Sequence, residues 1–363
     1  MTFKILAINP GSTSTKIAVY EGDKLMFEKT ASHSTEALAP FETVIEQYDY
    51  RTEFIKETLA AENITLESLD AVVGRGGLLA PLESGTYRVN EKMLHDLRGA
   101  LYGEHASNLG ALIANRISEL YGIPAFIVDP VVVDELQPIA RISGNKAIER
   151  KSIFHALNHK SAGRKVAAKK GYRYDERNWI IAHLGGGISV GAHQQGKVID
   201  VNNALDGDGP FSPERSGGLP LQQTLAYSQE ERWQKNPFYR QLVGKGGVVS
   251  YLETNDMRTV EAMVADGNTE AKIVFEAMAY QVSKEIGACA AVLNGEVDGI
   301  ILTGGLANSA SFTQLVSRKI QWIAPVILEP GEDELLALNE GAQRVMHGEE
   351  EARQYRGGVT NGK

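Results

Sequence analysis

Apolar and polar positions divide the chain into short strand-like runs and longer stretches of helical period. Residues 3–9 are apolar, Pro10-Gly11-Ser12-Thr13-Ser14-Thr15 breaks the run, and residues 16–20 alternate. Glu21-Gly22-Asp23 is a turn and residues 24–29 are extended again, so the pattern predicts strand, polar loop, strand, turn, strand. The same layout returns later. Residues 179–184 are apolar, Gly185-Gly186-Gly187 breaks them, residues 188–193 alternate, and Gln195-Gly196 turns into residues 197–201. Gly11 and Gly22 are as far apart in sequence as Gly185 and Gly196. That spacing predicts an internal duplication, with a chance match between two hairpins as the alternative. Helical period is clearest over residues 104–121, 152–170, 270–293, 311–323 and 334–346. Strands interleaved with helices predict an α/β fold. Two domains are expected: residues 1–128 rejoined by about 335–350, and residues 129–334. Residues 203–220, rich in Gly, Pro and Asp and without a period, are a long functional loop or a poorly ordered one. The charged, then glycine-rich tail, residues 349–363, is expected to fray, and residues 351–363 are set apart from both domains.

Composition narrows the class. With 363 residues, 43% hydrophobic and 23% charged, the chain is long enough for two buried cores and too apolar to be disordered. Its 37 Lys+Arg against 46 Asp+Glu leave a net charge of −9, which argues against nucleic acid or an anionic membrane as partner. The single cysteine, Cys289, excludes an internal disulfide and a cysteine zinc cluster. No apolar run approaches the roughly 20 residues of a membrane span, and the first residues lack the pattern of a secretory leader. A cytoplasmic protein is expected.

The 37 glycines are unevenly placed, and three loops concentrate the chemistry. Asn9-Pro10-Gly11-Ser12-Thr13-Ser14-Thr15-Lys16 follows an apolar strand with hydroxyls, backbone N–H groups and a lysine. That combination suits phosphate oxygens, though it equally describes a plain hairpin turn. It lacks the Walker spacing, and a strand rather than a helix follows. His183-Leu184-Gly185-Gly186-Gly187 lets a backbone approach an anion closely, or forms a bulge. The apolar run 300–302, then Thr303-Gly304-Gly305 and a turn reaching Asn308, is strand–Gly-Gly–helix, the layout that receives a nucleotide at a strand's carboxyl end. The three in this order are more specific than any one.

In that order these motifs resemble the phosphate-1, phosphate-2 and adenosine motifs of the acetate and sugar kinase/Hsp70/actin superfamily. The run Ile8 to Lys16 resembles the carboxylate kinases. Arg75-Gly76-Gly77, Gly103-Glu104-His105-Ala106-Ser107-Asn108, Val128-Asp129-Pro130, Arg150-Lys151-Ser152-Ile153-Phe154-His155 and residues 200–211 are similar to the butyrate kinase branch of the acetokinase family. The likeness runs from the N-terminus to about residue 348. It implies two duplicated actin-like (ribonuclease H-like) domains with a nucleotide cleft between them, ATP and Mg²⁺ as cofactors, and a homo-oligomer, a dimer or larger. It also implies a phosphotransferase with a carboxyl group as acceptor, turning butyrate and ATP into butyryl phosphate and ADP by direct in-line transfer. A carboxylic acid is already ionised at neutral pH, so no general base is needed, and the difficulty is bringing two anions together.

By the same resemblance Arg75 and Arg215 hold the substrate carboxylate and the migrating phosphoryl group, and His155 bonds that group in the transition state. His183 and Gly185, Gly186 and Gly187 take the β- and γ-phosphates, with Asn9, Ser12, Ser14 and Lys16 on the first loop. Asp256 and Arg258 fall on the adenosine side, with Gly304, Gly305 and Asn308. Asp129, which ends an apolar strand, Asn9 and an acidic residue near the C-terminus, Glu334 rather than Asp333, are placed near the metal. Each has a simpler reading: Arg215 paired to Glu214, His155 a packed core histidine, Asp333 and Glu334 charges favoured at a helix N-terminus. The chain departs from the acetate kinase pattern at Gly186, at Ala156-Leu157-Asn158-His159 and around Arg215, which favours butyrate over acetate. Branched short-chain acids, propionate and acetate remain as alternatives. An ATP-binding switch protein without kinase activity is the alternative from another class.

Overall fold

Strands buried on both faces read as continuous apolar runs, and the central strands of this chain show why. The computed structural model describes residues 2–205, 207–230 and 238–358. Asp206, within the 200–211 segment, and residues 359–363 of the expected tail lie outside the described residues. Two compact units form: Met1–Val133 with Asp333–Lys363, and Asp134–Glu332.

Unit 1 carries a sheet of β1 (Lys4–Pro10), β2 (Ser14–Glu21), β3 (Lys24–Ser32), β4 (Ala71–Arg75), β5 (Thr86–Arg88), β6 (Ala125–Val128) and β14 (Arg353–Gln354), in the order β14-β5-β6-β4-β1-β2-β3. Unit 2 has a small hairpin, β7 (Ile142–Asn145) and β8 (Ile148–Glu149). Its main sheet holds β9 (Asn178–Leu184), β10 (Ile188–Gln194), β11 (Lys197–Val201), β12 (Gly299–Gly304) and β13 (Val326–Pro330), ordered β11-β10-β9-β12-β13. Each unit contains an antiparallel three-strand meander, first in unit 1 and after the small hairpin and the helix Ala156–Lys169 in unit 2, whose first strand pairs in parallel with the next main strand: β1 with β4, and β9 with β12. A further parallel strand follows in each, β6 beside β4 and β13 beside β12. The duplication expected from the glycine spacing is a duplication of topology.

In unit 2, Ile180, Ala182, Ile300 and Leu302 face a core with Phe275, Met278, Val282, Phe312 and Val316, supplied by the helices Thr269–Val292 and Ala310–Ile320. The alternate residues Trp179, Ile181 and Ile301 pack on Val166 and Ala167 of the helix Ala156–Lys169. In unit 1, Leu6, Ile8, Ile17 and Val72 pack with Ile55, Leu59, Leu112 and Ile113, while the helix Glu334–Met346 lies along β1, β4 and β6. Among the described residues no helix is long and apolar enough to cross a membrane.

Several expectations shift. The helices expected from 104 and 152 begin at Asn108 and Ala156. Asp129 and Glu334 belong to unit 1, not to the second unit. β6 is hydrogen-bonded into the first sheet, and the chain leaves that sheet only after Val133 has bridged to Leu82. The tail does not fray over its described part: β14 adds to β5, and the Tyr355 hydroxyl is buried, donating to Asp96 at 2.9 Å.

Arg51, on the helix Tyr48–Ala61, is fully buried behind the β1–β2 loop. Its Nη1 donates to the Gly11 and Ser14 carbonyls at 2.8 Å and to Thr15 Oγ1 at 3.0 Å, and its Nη2 to the Ser12 carbonyl at 3.1 Å. In a planar trans peptide the N–H points away from the C=O, so drawing the Gly11 and Ser12 carbonyls inward turns the N–H groups of Ser12 and Thr13 outward. Arg51→Met strands those carbonyls, and thermal or urea unfolding should show a loss of about 2–4 kcal/mol. An unchanged melting temperature would show that the loop holds its shape without the guanidinium.

Candidate active site

Parallel pairing sets the geometry of each unit's strand ends. In unit 1, Ile8 is level with Gly74 and Gly74 with Ile127, so Asn9, Arg75 and Val128 lie side by side at the carboxyl ends of β1, β4 and β6, with Asp129 next. Neighbouring strands are about 4.8 Å apart, so three adjacent ends bring these groups into one small patch. Asp129 is buried, with φ +39°, and its Oδ1 accepts from Ser84 Oγ at 2.6 Å and from the Gly85 N–H at 2.7 Å. Glu334 reaches the same strand ends from the first turn of its helix. Its Oε2 accepts from Asn9 Nδ2 at 2.5 Å and from Arg75 Nη1 at 2.6 Å. Asp333 does something else: it is the N-cap of that helix, accepting from the Leu336 N–H at 2.9 Å. Arg75 is anchored through Nη1 alone, which also lies 3.5 Å from Asn9 Oδ1; Nε and Nη2 have no protein acceptor among the described residues.

The β1–β2 loop presents Ser12 and Thr13 to solvent with Ser14 partly covered, and Lys16 is exposed on β2. Among the described residues no group of three His, Cys, Asp or Glu side chains forms a metal cage. The two carboxylates Asp129 and Glu334 with the Asn9 amide are an all-oxygen set. That set fits Mg²⁺, which keeps several waters and takes one or two carboxylates together with substrate phosphates.

In unit 2, His183 and Thr303 are level on β9 and β12. His183 is buried, its Nε2 3.3 Å from Glu332 Oε2, and its ring stacks on that of His155 with centroids 4.2 Å apart. His155 sits at the N-cap of the helix Ala156–Lys169, with Nδ1 2.8 Å from Ser189 Oγ. The loop carrying Arg215 is fastened onto the triple glycine: Ser212 Oγ donates to the Gly186 carbonyl at 2.6 Å, and Arg215 Nη1 donates to the Ala204 carbonyl at 2.6 Å. A Cβ at Gly187 would stand 2.1 Å from Arg215 Nη1, so this glycine is what lets the guanidinium lie across the loop. The described part of 203–220 is therefore an ordered loop. Gly304, at φ +90°, lies against the Leu184 backbone, and Gly305 opens the turn in which Asn308 Nδ2 donates to the Gly305 carbonyl at 3.0 Å. Asp256 caps the helix Met257–Ala265 and takes both ends of the Arg258 guanidinium, at 2.9 and 2.8 Å, which pulls its carboxyl down to about 2. This pair lies at the surface, engaged with itself.

The structure thus gathers Asn9, Arg75, Asp129 and Glu334 in unit 1, and His155, His183, Gly185 to Gly187 and Arg215 in unit 2. Arg51 and the groups behind His155 carry no motif of their own. Arg51 has no sequence signal, being remote from the loop it holds. His159, four residues after His155 on one helix, and Ser189 with His193, four apart on one strand, do have matching spacings that bring them together.

Residues 136–351 match the acetokinase family profile. A relative from Listeria innocua serovar 6a named "Probable butyrate kinase" is 58% identical over 355 residues, covering 98% of this chain and all of the relative. Among solved structures, an acetate kinase from Porphyromonas gingivalis superposes with a TM-score of 0.74 at 20% identity, over 94% of this chain and 99% of the other. A propionate kinase from Francisella tularensis gives 0.71 at 20% identity, over 93% and 98%. The two structures show a shared fold, the duplicated α/β fold described above. With a profile spanning more than half of its residues and a relative matched along its whole length, the chain belongs to the acetokinase family.

Proposed function

We propose that the chain transfers the γ-phosphoryl group of ATP to the carboxylate of a short-chain fatty acid, converting butyrate to butyryl phosphate. The acceptor is ionised at neutral pH, because an aliphatic acid has a pKa of about 4–5, and its oxygen is already a nucleophile. The chemistry therefore needs positioning and neutralisation of charge, not a base. Arg75 carries the assignment. One nitrogen fixes it to Glu334, while the Nε/Nη2 edge, a planar fork matched to a carboxylate, is left for a ligand. Kinship with the Listeria relative supports butyrate as the acid.

In this proposal Arg215, drawn over Gly187, meets the migrating phosphoryl group and His155 bonds it. His183 and the triple glycine hold the β- and γ-phosphates, with Asn9, Ser12, Ser14 and Lys16 on the first loop. Gly304, Gly305 and Asn308 take the adenosine side, together with Asp256 and Arg258, whose mutual pairing must open to do so. Mg²⁺, held largely through water by Asp129 and Glu334 beside Asn9, neutralises phosphate oxygens when bound. The need for ATP supports the cytoplasm as its location. Self-association through unit 2 is supported by exposed apolar side chains there. Leu219, Tyr251 and Ile273 line one groove at 44%, 60% and 68% exposure.

Three outcomes are expected. With ATP and hydroxylamine as trap, acyl hydroxamate should form with butyrate and more weakly with acetate. Each methylene is worth about 0.8 kcal/mol, so kcat/KM should change by no more than about fourfold per carbon. ATP hydrolysis with no acid-dependent hydroxamate would instead indicate a switch protein. Arg75→Ala and Arg215→Ala should each lower kcat by about 100-fold or more while the KM for ATP stays within about threefold. Near-normal turnover in both would remove them from the site. Light scattering should return twice the mass of the single chain or more, and a single-chain mass would leave the groove unexplained by self-association.

A further inference from the structure

Behind His155 runs an unbroken chain of polar side chains inside unit 2. Ser189 Oγ lies 2.8 Å from His155 Nδ1 and 2.8 Å from His159 Nε2; His159 Nδ1 lies 3.0 Å from His193 Nε2; His193 Nδ1 lies 2.5 Å from the Tyr174 hydroxyl. Ser189, His159 and His193 are completely buried and Tyr174 nearly so. The helix supplies the histidines at 155 and 159, and β10 supplies Ser189 and His193. Gly191 lies between those two on the same strand face, where a Cβ would crowd His193 Nε2 at 3.3 Å and His159 Nδ1 at 3.4 Å.

Burial pushes His159 and His193 well below the usual imidazole range, so both are neutral near pH 7. A neutral imidazole has one N–H and one bare nitrogen, and a serine hydroxyl has one proton. Ser189 Oγ is fully buried and has no partner besides these two rings among the described residues, so its proton goes to one of them, and with every link made two proton orders remain. In one, Tyr174 donates to His193, His193 to His159, His159 to Ser189, and Ser189 to His155 Nδ1; the His155 proton is then on Nε2. In the other every donor is reversed, and the proton of a neutral His155 is on Nδ1. Two cations at the far end separate them. Lys160 Nζ lies 5.8 Å from the Tyr174 ring centroid and the Arg164 guanidinium 5.9 Å. Lys160 is paired to Glu135 at 2.7 Å, yet its charge still acts on both His159 and His193, and positive charge on this side favours the order in which the phenol proton points away from it, toward His193.

We propose that Ser189, His159, His193 and Tyr174 are positioning residues that fix His155 as its Nε2–H tautomer, so that it presents a hydrogen-bond donor and not a bare nitrogen to the transferring phosphoryl oxygens. This rests on the kinase assignment above. The polarised chain places a donor without placing a full cation, and it also fixes the ring plane against His183.

The test uses the full chain labelled with ¹⁵N histidine, with the His155 signals assigned by their loss in His155→Gln. In the unsubstituted protein His155 should show a protonated Nε2 and a bare Nδ1. The opposite pattern, or fast averaging of the two, overturns the proposal, and this readout needs no turnover and no variant that must fold. Ser189→Ala should mix the tautomers and lower kcat by about 10- to 100-fold with the KM for ATP and butyrate little changed; Ser189→Thr, which keeps the hydroxyl, should restore both. Tyr174→Phe, which keeps the ring and removes the far donor, should shift the His155 signals the same way. If Ser189→Ala lowers kcat with the tautomer unmoved, the serine's role is not orientation of the proton and the proposal fails. Absence of butyryl hydroxamate from the unsubstituted enzyme would strike the kinase assignment alone, since the tautomer is read independently.

Discussion

The constraint on which the rest depends is the register of parallel strands. A parallel ladder fixes which residues end level with one another. In each unit three neighbouring strands run the same way, so their last side chains arrive together at one edge. Asn9, Arg75 and Asp129 meet for this reason though more than fifty residues separate each from the next in sequence. His183 and Thr303 are level for the same reason. A slip of one residue in β4 against β1 would carry Arg75 to the opposite face of the sheet and break its contact with Glu334. Close packing on both faces of these strands holds that register, since a slip would set side chains such as Ile8, Val72 or Ile300 against neighbours shaped for other residues.

Much of this was legible in residue spacing. The two hairpins, the shared glycine interval and the Gly-Gly turn after an apolar run report local geometry, which sequence encodes directly. The stretches that escaped are those where tertiary contacts override local pattern. The helix Tyr48–Ala61 buries Arg51, Thr52 and Thr58 among its inward residues, so its apolar stripe is thin and its period faint. β14 is too short to announce itself and exists because β5 offers an edge. Asp333 and Glu334 are adjacent and chemically alike, and only the start of the helix tells them apart. The first is spent on capping and the second is turned toward Asn9 and Arg75.

The glycines sharpen the same point. From sequence the run 185–187 allows either close approach of an anion or a bulge. The structure gives Gly187 a specific task, passage of the Arg215 guanidinium, and Gly191 another, room for two imidazoles. Neither is a property of glycine beside a phosphate, and Arg215 and His159, which each glycine makes room for, are remote from it in sequence. Loop composition announced that something must come close. It did not say that part of the space is taken by the protein's own side chains.

Charge is handled in a way that follows from this arrangement. In the proposed reaction an acidic chain receives two anionic substrates and has to release two anionic products. Unopposed cations would hold both pairs alike, and such uniform binding lowers KM without raising kcat. Here the positive groups are restrained: Arg75 by Glu334, Arg258 by Asp256, and the buried Lys160 by Glu135 at 2.7 Å. Arg215 is steered by a carbonyl, and behind His155 the donors are neutral imidazoles aligned by hydrogen bonds. Each restrained cation keeps an orientation at the cost of some net attraction, and each neutral donor adds a directed bond without adding charge. In the proposed reaction, groups held this way within each unit favour the geometry of transfer over the simple presence of phosphate, which is what catalysis between two anions requires.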